Sequence, residues 1–117
     1  MVSAMINKLK KSLMYSCTGI KATFKNDYSF RLEVYLLPFL LISLYFFQVS
    51  MFRKMIMLAV YLVVLSLELI NSAIERLADR VTMEHDLAIG FVKDAASAAV
   101  LLALVLVAFV WIACLWF

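Results

Sequence analysis

Three long stretches without a charged residue constrain the fold of this chain more than any other feature. They cover Val34–Phe52, Met55–Leu67 and Ala95–Phe117. A helix that crosses a membrane needs about 20 apolar residues. Hydrophobic residues also make up 67% of the 117 positions, against roughly 45–50% in an average soluble domain. The sequence therefore predicts an integral membrane protein.

The predicted fold class is all-α, because the apolar stretches lack the alternation of barrel strands, and only helices or closed barrels span a membrane. One membrane-embedded domain is expected over 1–117, with transmembrane helices at about 31–52, 55–75 and 94–117. The second of these spans is long enough only if Glu68 and Asn71 lie inside the bilayer or at its edge.

Residues 1–30 have the pattern of an amphipathic surface helix. Lysines lie opposite the apolar face or beside it, and a basic amphipathic helix next to a span is expected on the anionic cytoplasmic leaflet. The alternative is a soluble helix that packs on a partner. The apolar face forms a stripe about 80° wide and consists of Ile6, Leu9, Leu13, Cys17, Ile20 and Phe24.

The charges outside the spans predict the orientation in the membrane. Every charged residue before Asp27 is a lysine, and the positive-inside rule therefore places the N-terminus in the cytoplasm. Arg53 and Lys54, between the first two spans, argue weakly the other way. Three spans then place the 76–94 loop in the cytoplasm and the C-terminus outside.

Small residues at the start of the third span indicate close helix packing. Ala95–Ala99 contains only alanine and serine, and small side chains let a neighbouring helix approach closely inside a membrane. Three helices alone bury little surface, so an oligomer of this chain is expected.

A row of polar side chains marks the end of the second span. On a helix, Glu68, Ser72, Glu75 and Asp79 lie within about 60° of one another, and the row rises about 16 Å. A helix end that emerges into water would explain Asp79. It explains Glu68 poorly, because largely apolar positions follow, and a carboxylate at that depth is costly.

The other two spans bring charged groups to the same membrane face. Asp27, Arg31 and Glu33 lie at the entry to the first span, and Lys93 and Asp94 lie at the entry to the third. Carboxylates bind Mg²⁺ and lysine neutralises phosphate charge. A buried carboxylate can take a proton from an attacking hydroxyl. Together these groups would suffice for phosphoryl transfer.

Three blocks of the chain resemble one family. "ELINSAIERLAD" at 68–79, "KDAASAAV" at 93–100 and "NDYSFRLE" at 26–33 are similar, in order and spacing, to the motifs of the small bacterial membrane-embedded diacylglycerol kinases, which include undecaprenol kinases. The resemblance implies a homotrimer in the bacterial inner membrane, with a periplasmic C-terminus and active sites between neighbouring subunits at the cytoplasmic face. It implies ATP and Mg²⁺, a lipid alcohol as the acceptor, contact with membrane lipids and no nucleic acid partner.

The resemblance also implies roles for individual residues. Glu68 matches the catalytic base for the lipid hydroxyl, and Asn71 and Asp79 match motif positions that support it. Asp27 and Glu75 match the pair of carboxylates that binds Mg²⁺ and so contacts ATP.

Further positions match the two substrate sites of the family. Those on the ATP side are Lys8, Tyr15, Glu84, His85, Asp86, Lys93 and Asp94. Those on the lipid side are Lys8, Ser16, Arg31, Glu68 and Ser97.

The chain departs from the family pattern at three places. Asp27 stands where the family has a glutamate, and aspartate is one methylene shorter. Lys8 stands where the family has an arginine, which keeps the charge and loses the bidentate fork. Asp86 stands where the family has a histidine, and His85 comes one place earlier.

The expected activity is transfer of phosphate from ATP to diacylglycerol, giving phosphatidic acid. Undecaprenol kinase is the alternative enzyme. A non-catalytic membrane protein, which would use the carboxylates for helix assembly or ion passage, is the alternative of another class. An ion path is poorly supported, because the second span is apolar before Glu68 and the third is uncharged.

Overall fold

Four helices make up the computed structural model, which describes residues 1–117. They are α1 (Val2–Asn26), α2 (Tyr28–Phe46), α3 (Met51–Val81) and α4 (Leu87–Trp116). The last three are long and apolar enough to cross a membrane. The expectation of an all-helical integral membrane protein is therefore confirmed.

Polar N-cap residues set where three of the helices begin. The side chains of Asp27, Ser50 and Asp86 accept hydrogen bonds from the amide three residues ahead, at 3.2, 3.3 and 3.0 Å. Such caps satisfy amide groups that have no partner inside the helix. Asp27 has extended backbone dihedrals and is the single residue between α1 and α2.

The helix limits differ from the expected spans at both ends of the helices, and the N-caps set where α2, α3 and α4 begin. The second helix ends at Phe46, before the apolar run ends. The third helix continues to Val81, so the whole polar row lies on one unbroken helix. The fourth helix begins at Leu87, well ahead of the uncharged run at Ala95.

The main helix pair is α3 with α4. Met57 and Val64 of α3 are fully buried, and Val100 and Ala103 of α4 are buried too. The indole N–H of Trp111 donates to the main-chain carbonyl of Met57 at 3.2 Å. Ala103 is the small side chain buried on α4, whereas the run Ala95–Ala99 is exposed except for the half-buried Ala96. The close packing expected from that run therefore stays a prediction.

A single arginine ties the start of α3 to the end of α4. The guanidinium of Arg53 donates to the carbonyls of Cys114 and Phe117, each at 2.9 Å. The last carbonyls of a helix lack partners within the helix and carry partial negative charge, so a cation stabilises them. This contact closes the end of the helix pair opposite the carboxylates.

A second arginine fixes the corner between α1 and α2. The guanidinium of Arg31 donates to the carbonyls of Phe24 and Lys25, each at 2.9 Å. The rings of Phe24 and Tyr35 meet edge to face, with centroids 5.4 Å apart. Only the last turns of α1 pack on the rest of the chain, because α1 is exposed as far as Lys21. The placement of α1 on a membrane surface stays a prediction.

Candidate active site

Glu68 lies at the centre of the candidate site. It is the one charged residue among the buried residues of the chain, with 5% of its surface exposed. No salt bridge pairs it with a cation, since the only salt bridge joins Lys93 to Asp79. A buried carboxyl group without a cation is costly, and in a membrane helix such a group generally has a function.

A second carboxyl group, that of Glu33, faces Glu68 from α2. The two side chains lie close enough to interact by a hydrogen bond. Two carboxylates can only accept, so one of these groups can donate to the other only when it carries a proton. One oxygen of Glu33, Oε2, is buried without a partner. Above this pair, the hydroxyl of Tyr61 donates to the main-chain carbonyl of Glu33.

Asn71 flanks the polar row one turn beyond Glu68, and Glu75 continues the row two turns beyond Glu68. The amide nitrogen of Asn71 donates to Oε1 of Glu75 at 3.3 Å. The amide oxygen of Asn71 is buried and has no partner. Because the amide nitrogen already orients the side chain, this oxygen is free to accept from a ligand.

Asp27 meets the polar row from the α1–α2 junction. Its Oδ2 accepts from the hydroxyl of Ser72 at 2.6 Å. This bond brings Asp27 to the same cavity as Glu75 and Asp79. The cavity has a volume of about 410 Å³ and is lined by Asn26, Asp27, Tyr28, Ser72, Glu75, Arg76 and Asp79.

The carboxylates of Asp27 and Glu75 fit what Mg²⁺ needs from a protein. Mg²⁺ prefers oxygen ligands and is usually held by one or two carboxylates, while waters and substrate phosphates complete its octahedral shell. No group of three or more acidic, histidine or cysteine side chains lies close enough to bind a metal ion without such additional ligands. The donor set thus suits a metal ion that arrives with a nucleotide.

Lys93 connects this cavity to the loop between α3 and α4. Its ammonium group lies 2.6 Å from Oδ1 of Asp79, and both side chains are about 40% exposed, at 39% and 43%. Lys93 also borders a second cavity of about 280 Å³, which is lined by Met83, Glu84, His85, Asp86, Ile89, Gly90 and Lys93. The ion pair therefore lies between the carboxylate cavity and the loop cavity.

Several residues expected on the substrate sides lie apart from this cluster within one chain. Lys8 and Tyr15 line one exposed face of α1, and no hydrogen bond or salt bridge joins them to the other helices. Ser16 and Ser97 are exposed, as is Asp94. Arg31 is close to Asp27 in sequence, but its guanidinium is bonded to the end of α1.

Sequence reasoning assigned no role to two residues that the structure places in the cluster. Glu33 was recognised only as a charge ahead of the first span, and Ser72 only as a member of the polar row. Ser72 carried a usable signal, because it lies on the same helix face as Glu68 and Glu75. Glu33 carried none, because its distance from Glu68 depends on how α2 packs against α3.

Comparisons with known proteins identify the family. Residues 14–115 match the family model of the prokaryotic diacylglycerol kinases. The chain is 38% identical over 107 residues to a diacylglycerol kinase of Haemophilus influenzae, which covers 91% of this chain and 90% of the relative. It is 34% identical over 106 residues to one of Pseudomonas aeruginosa, covering 91% and 86%. It is 29% identical over 109 residues to one of Escherichia coli, covering 93% and 89%.

Three helices able to span a membrane, a buried glutamate and these relatives together define a membrane-embedded lipid kinase. The chain belongs to the prokaryotic diacylglycerol kinase family. The resemblance seen in its three sequence blocks is therefore confirmed. Membership also decides between the two classes considered from the sequence, in favour of an enzyme over a non-catalytic assembly protein.

Proposed function

We propose that this protein transfers the γ-phosphate of Mg–ATP to the hydroxyl of diacylglycerol, giving phosphatidic acid and ADP. One observation carries the proposal: Glu68 is buried among apolar helices, while Glu75 and Asp79 extend the same helix face into an open cavity. A lipid hydroxyl reaches Glu68 from the bilayer, and a nucleotide reaches the cavity beside Glu75 and Asp79 from the cytoplasm. The naming of the relatives as diacylglycerol kinases supports this substrate over undecaprenol.

Glu68 acts as the general base in this reaction. Its carboxylate takes the proton of the lipid hydroxyl as the hydroxyl oxygen bonds to the γ-phosphorus and the bond from that phosphorus to the ADP oxygen breaks. Because Glu68 must be unprotonated to accept, the proton between the two carboxyl groups belongs on Glu33. Glu33 then donates to Glu68 and orients it, and Asn71 supports the site from the same helix.

Asp27 and Glu75 would hold Mg²⁺ on the nucleotide side of the site. The ion supplies charge neutralisation for the phosphate oxygens. The two side chains come from different parts of the fold, the α1–α2 junction and α3, and line one cavity. Their role is to orient the phosphates relative to Glu68.

Lys93 would bind the phosphates of ATP, and Asp79 positions it. Their ion pair of 2.6 Å places the ammonium group beside the carboxylate cavity. The loop cavity offers further groups for the nucleotide, among them Glu84, His85 and Asp86. Asp94, one residue beyond Lys93, completes this side of the site.

The remaining substrate contacts require a neighbouring subunit in a homotrimer. Within one chain, Lys8 and Tyr15 make no bond to the carboxylate cluster, although the family pattern places them at the nucleotide. Only 8 of the 117 residues of the isolated chain are buried, so the helices have large faces for other copies. Ser16, Arg31 and Ser97 would contact the lipid at the same subunit boundary.

The orientation in the bacterial inner membrane follows from this use of the site. ATP is cytoplasmic, so the N-terminus and the 76–94 loop belong on the cytoplasmic side, and the C-terminus belongs in the periplasm. The lysines of α1 agree with this orientation. With its apolar stripe toward the bilayer, α1 lies on the cytoplasmic surface as an amphipathic helix.

Purified protein in phospholipid nanodiscs tests the proposal directly. Mg–ATP is supplied with diacylglycerol in one reaction and undecaprenol in another, and phosphate transfer to each lipid is measured. We expect phosphatidic acid from the first reaction and at most slow transfer in the second. Transfer to undecaprenol alone would assign the other substrate, and no transfer by folded trimeric protein would refute the kinase reaction.

A further inference from the structure

Ser72 makes a hydrogen bond to another part of the fold, which no other helical serine or threonine of this chain does. Helical serine and threonine side chains commonly bond back to a carbonyl one turn earlier in their own helix. Thr18, Thr23, Ser43 and Ser66 do so here, at 2.8 to 2.9 Å. Ser72 instead donates across to Asp27 at 2.6 Å. The bond connects α3 to the junction of α1 and α2.

The two carboxylate oxygens of Asp27 make different contacts, one with the start of α2 and one with Ser72. Its Oδ1 accepts from the amide of Phe30 at 3.2 Å and so caps α2. Aspartate is among the best N-cap residues because its short side chain reaches back to the first turn. A carboxylate bound to the start of a helix is not by itself oriented toward a ligand. Its second oxygen, Oδ2, is the one that Ser72 holds.

We propose that Ser72 is a positioning residue that fixes the Asp27 carboxylate toward the cavity it shares with Glu75, so that the two carboxylates bind Mg²⁺ together. This inference rests on the proposed function, because it concerns the metal site of that reaction. Ser72 donates its one proton to Oδ2 and thereby leaves further lone pairs of the carboxylate free for the ion.

Metal affinity is the quantity that the proposal predicts. The full chain in nanodiscs is titrated with Mn²⁺ in the presence of a non-hydrolysable ATP analogue, and free Mn²⁺ is measured by electron paramagnetic resonance. Ser72→Ala is expected to weaken Mn²⁺ binding about 10-fold, since hydrogen bonds to charged groups are worth about that factor. The Mg²⁺ concentration for half-maximal turnover should rise by the same factor, while turnover at saturating Mg²⁺ changes little.

Ser66→Ala is the matched control, because Ser66 is also on α3 and its hydroxyl bonds back to the carbonyl of Leu62. It should leave Mn²⁺ affinity unchanged. The pair Ser72→Thr and Ser72→Val compares side chains of similar shape, of which only the first keeps a hydroxyl. The threonine variant should retain most of the affinity and the valine variant should lose it, even if the alanine variant does not fold.

Asp27→Asn separates the capping of α2 by Asp27 from its proposed binding of the metal ion. Asparagine caps a helix as well as aspartate does, so the thermal midpoint should stay close to that of the wild type while Mn²⁺ affinity falls. Equal Mn²⁺ affinity in Ser72→Val and Ser72→Thr would overturn the proposal, as would an equal loss in Ser66→Ala. Failure of the wild type to phosphorylate diacylglycerol would count against the proposed function alone, because Mn²⁺ binding is measured without turnover.

Discussion

The two ends of the α3–α4 pair use polar side chains in opposite ways. At one end, Arg53 and Trp111 donate to main-chain carbonyls, so that every bond completes a helix end or ties two helices together. The other end holds all three hydrogen bonds of the chain that join one side chain to another, and the two buried oxygens that have no partner, on Glu33 and Asn71, both lie there.

The end of the helix pair near Arg53 therefore serves stability, and the end near Glu68 offers groups that can react. Native proteins leave few buried polar atoms without a hydrogen bond, and each exception calls for an explanation. The exception on Asn71 lies one turn from the buried Glu68, where its amide oxygen can accept a hydrogen bond from a substrate. The end closed by Arg53 has no such group to offer. Substitutions should therefore affect turnover at one end and stability at the other.

The largest effect on turnover is expected from Glu68→Gln. The amide cannot take the proton of the lipid hydroxyl, and loss of a general base typically lowers the rate about 10²- to 10⁴-fold. Assembly of the proposed trimer and nucleotide affinity should be retained, because the side chain keeps its size. Initial rates of phosphatidic acid formation measure the effect, and a rate within threefold of the wild type would reject Glu68 as the base.

A loss of about 100-fold in kcat/KM for ATP is expected from Lys93→Met. In the proposed reaction the substitution removes a charge that stabilises the phosphates, a contribution often worth about 10²- to 10³-fold. Lys54→Met is the control at the other end, where the ammonium group of Lys54 contacts only the carbonyl of Tyr45 at 3.5 Å. Similar losses in both variants would remove the distinction between the two ends.

Replacement of Glu33 distinguishes a proton-bearing partner of Glu68 from a charged one. The amide of Glu33→Gln can donate to Glu68 as a protonated Glu33 does, so its kcat should stay within about threefold of the wild type. Glu33→Leu cannot donate, and its kcat should fall at least about 10-fold. Single-turnover rates of phosphate transfer give the comparison. A glutamine variant as impaired as the leucine variant would show that Glu33 acts through its charge.

The smallest effect on turnover is expected from Arg53→Met, which should act on stability. Loss of the bonds to the carbonyls of Cys114 and Phe117 should lower the free energy of unfolding by about 1–3 kcal/mol. The rate per folded trimer should remain that of the wild type. Thermal midpoints in detergent and initial rates, again with Lys54→Met as the control, measure both quantities. A rate loss without a change in the thermal midpoint would contradict the structural role.

Sequence reasoning succeeded where contacts are local. The polar row from Glu68 to Asp79 follows from spacing alone, because helix geometry places those positions on one face. Three helices able to span a membrane follow from the uncharged runs. The starts of those helices were predicted less well. Each is set by one N-cap residue, such as Ser50 or Asp86, that accepts a hydrogen bond from an amide of the first turn.

By itself, then, the amino-acid sequence determined the class of protein, the family and the helix face that carries the carboxylates. Only the tertiary structure decided which polar groups meet across helices: Glu33 with Glu68, Ser72 with Asp27, and Lys93 with Asp79. The reason is physical, since each pair joins elements whose distance is set by packing between helices and not by any repeat along one helix. These pairings bring polar groups of α2, α3, α4 and the α1–α2 junction together around one row of acids.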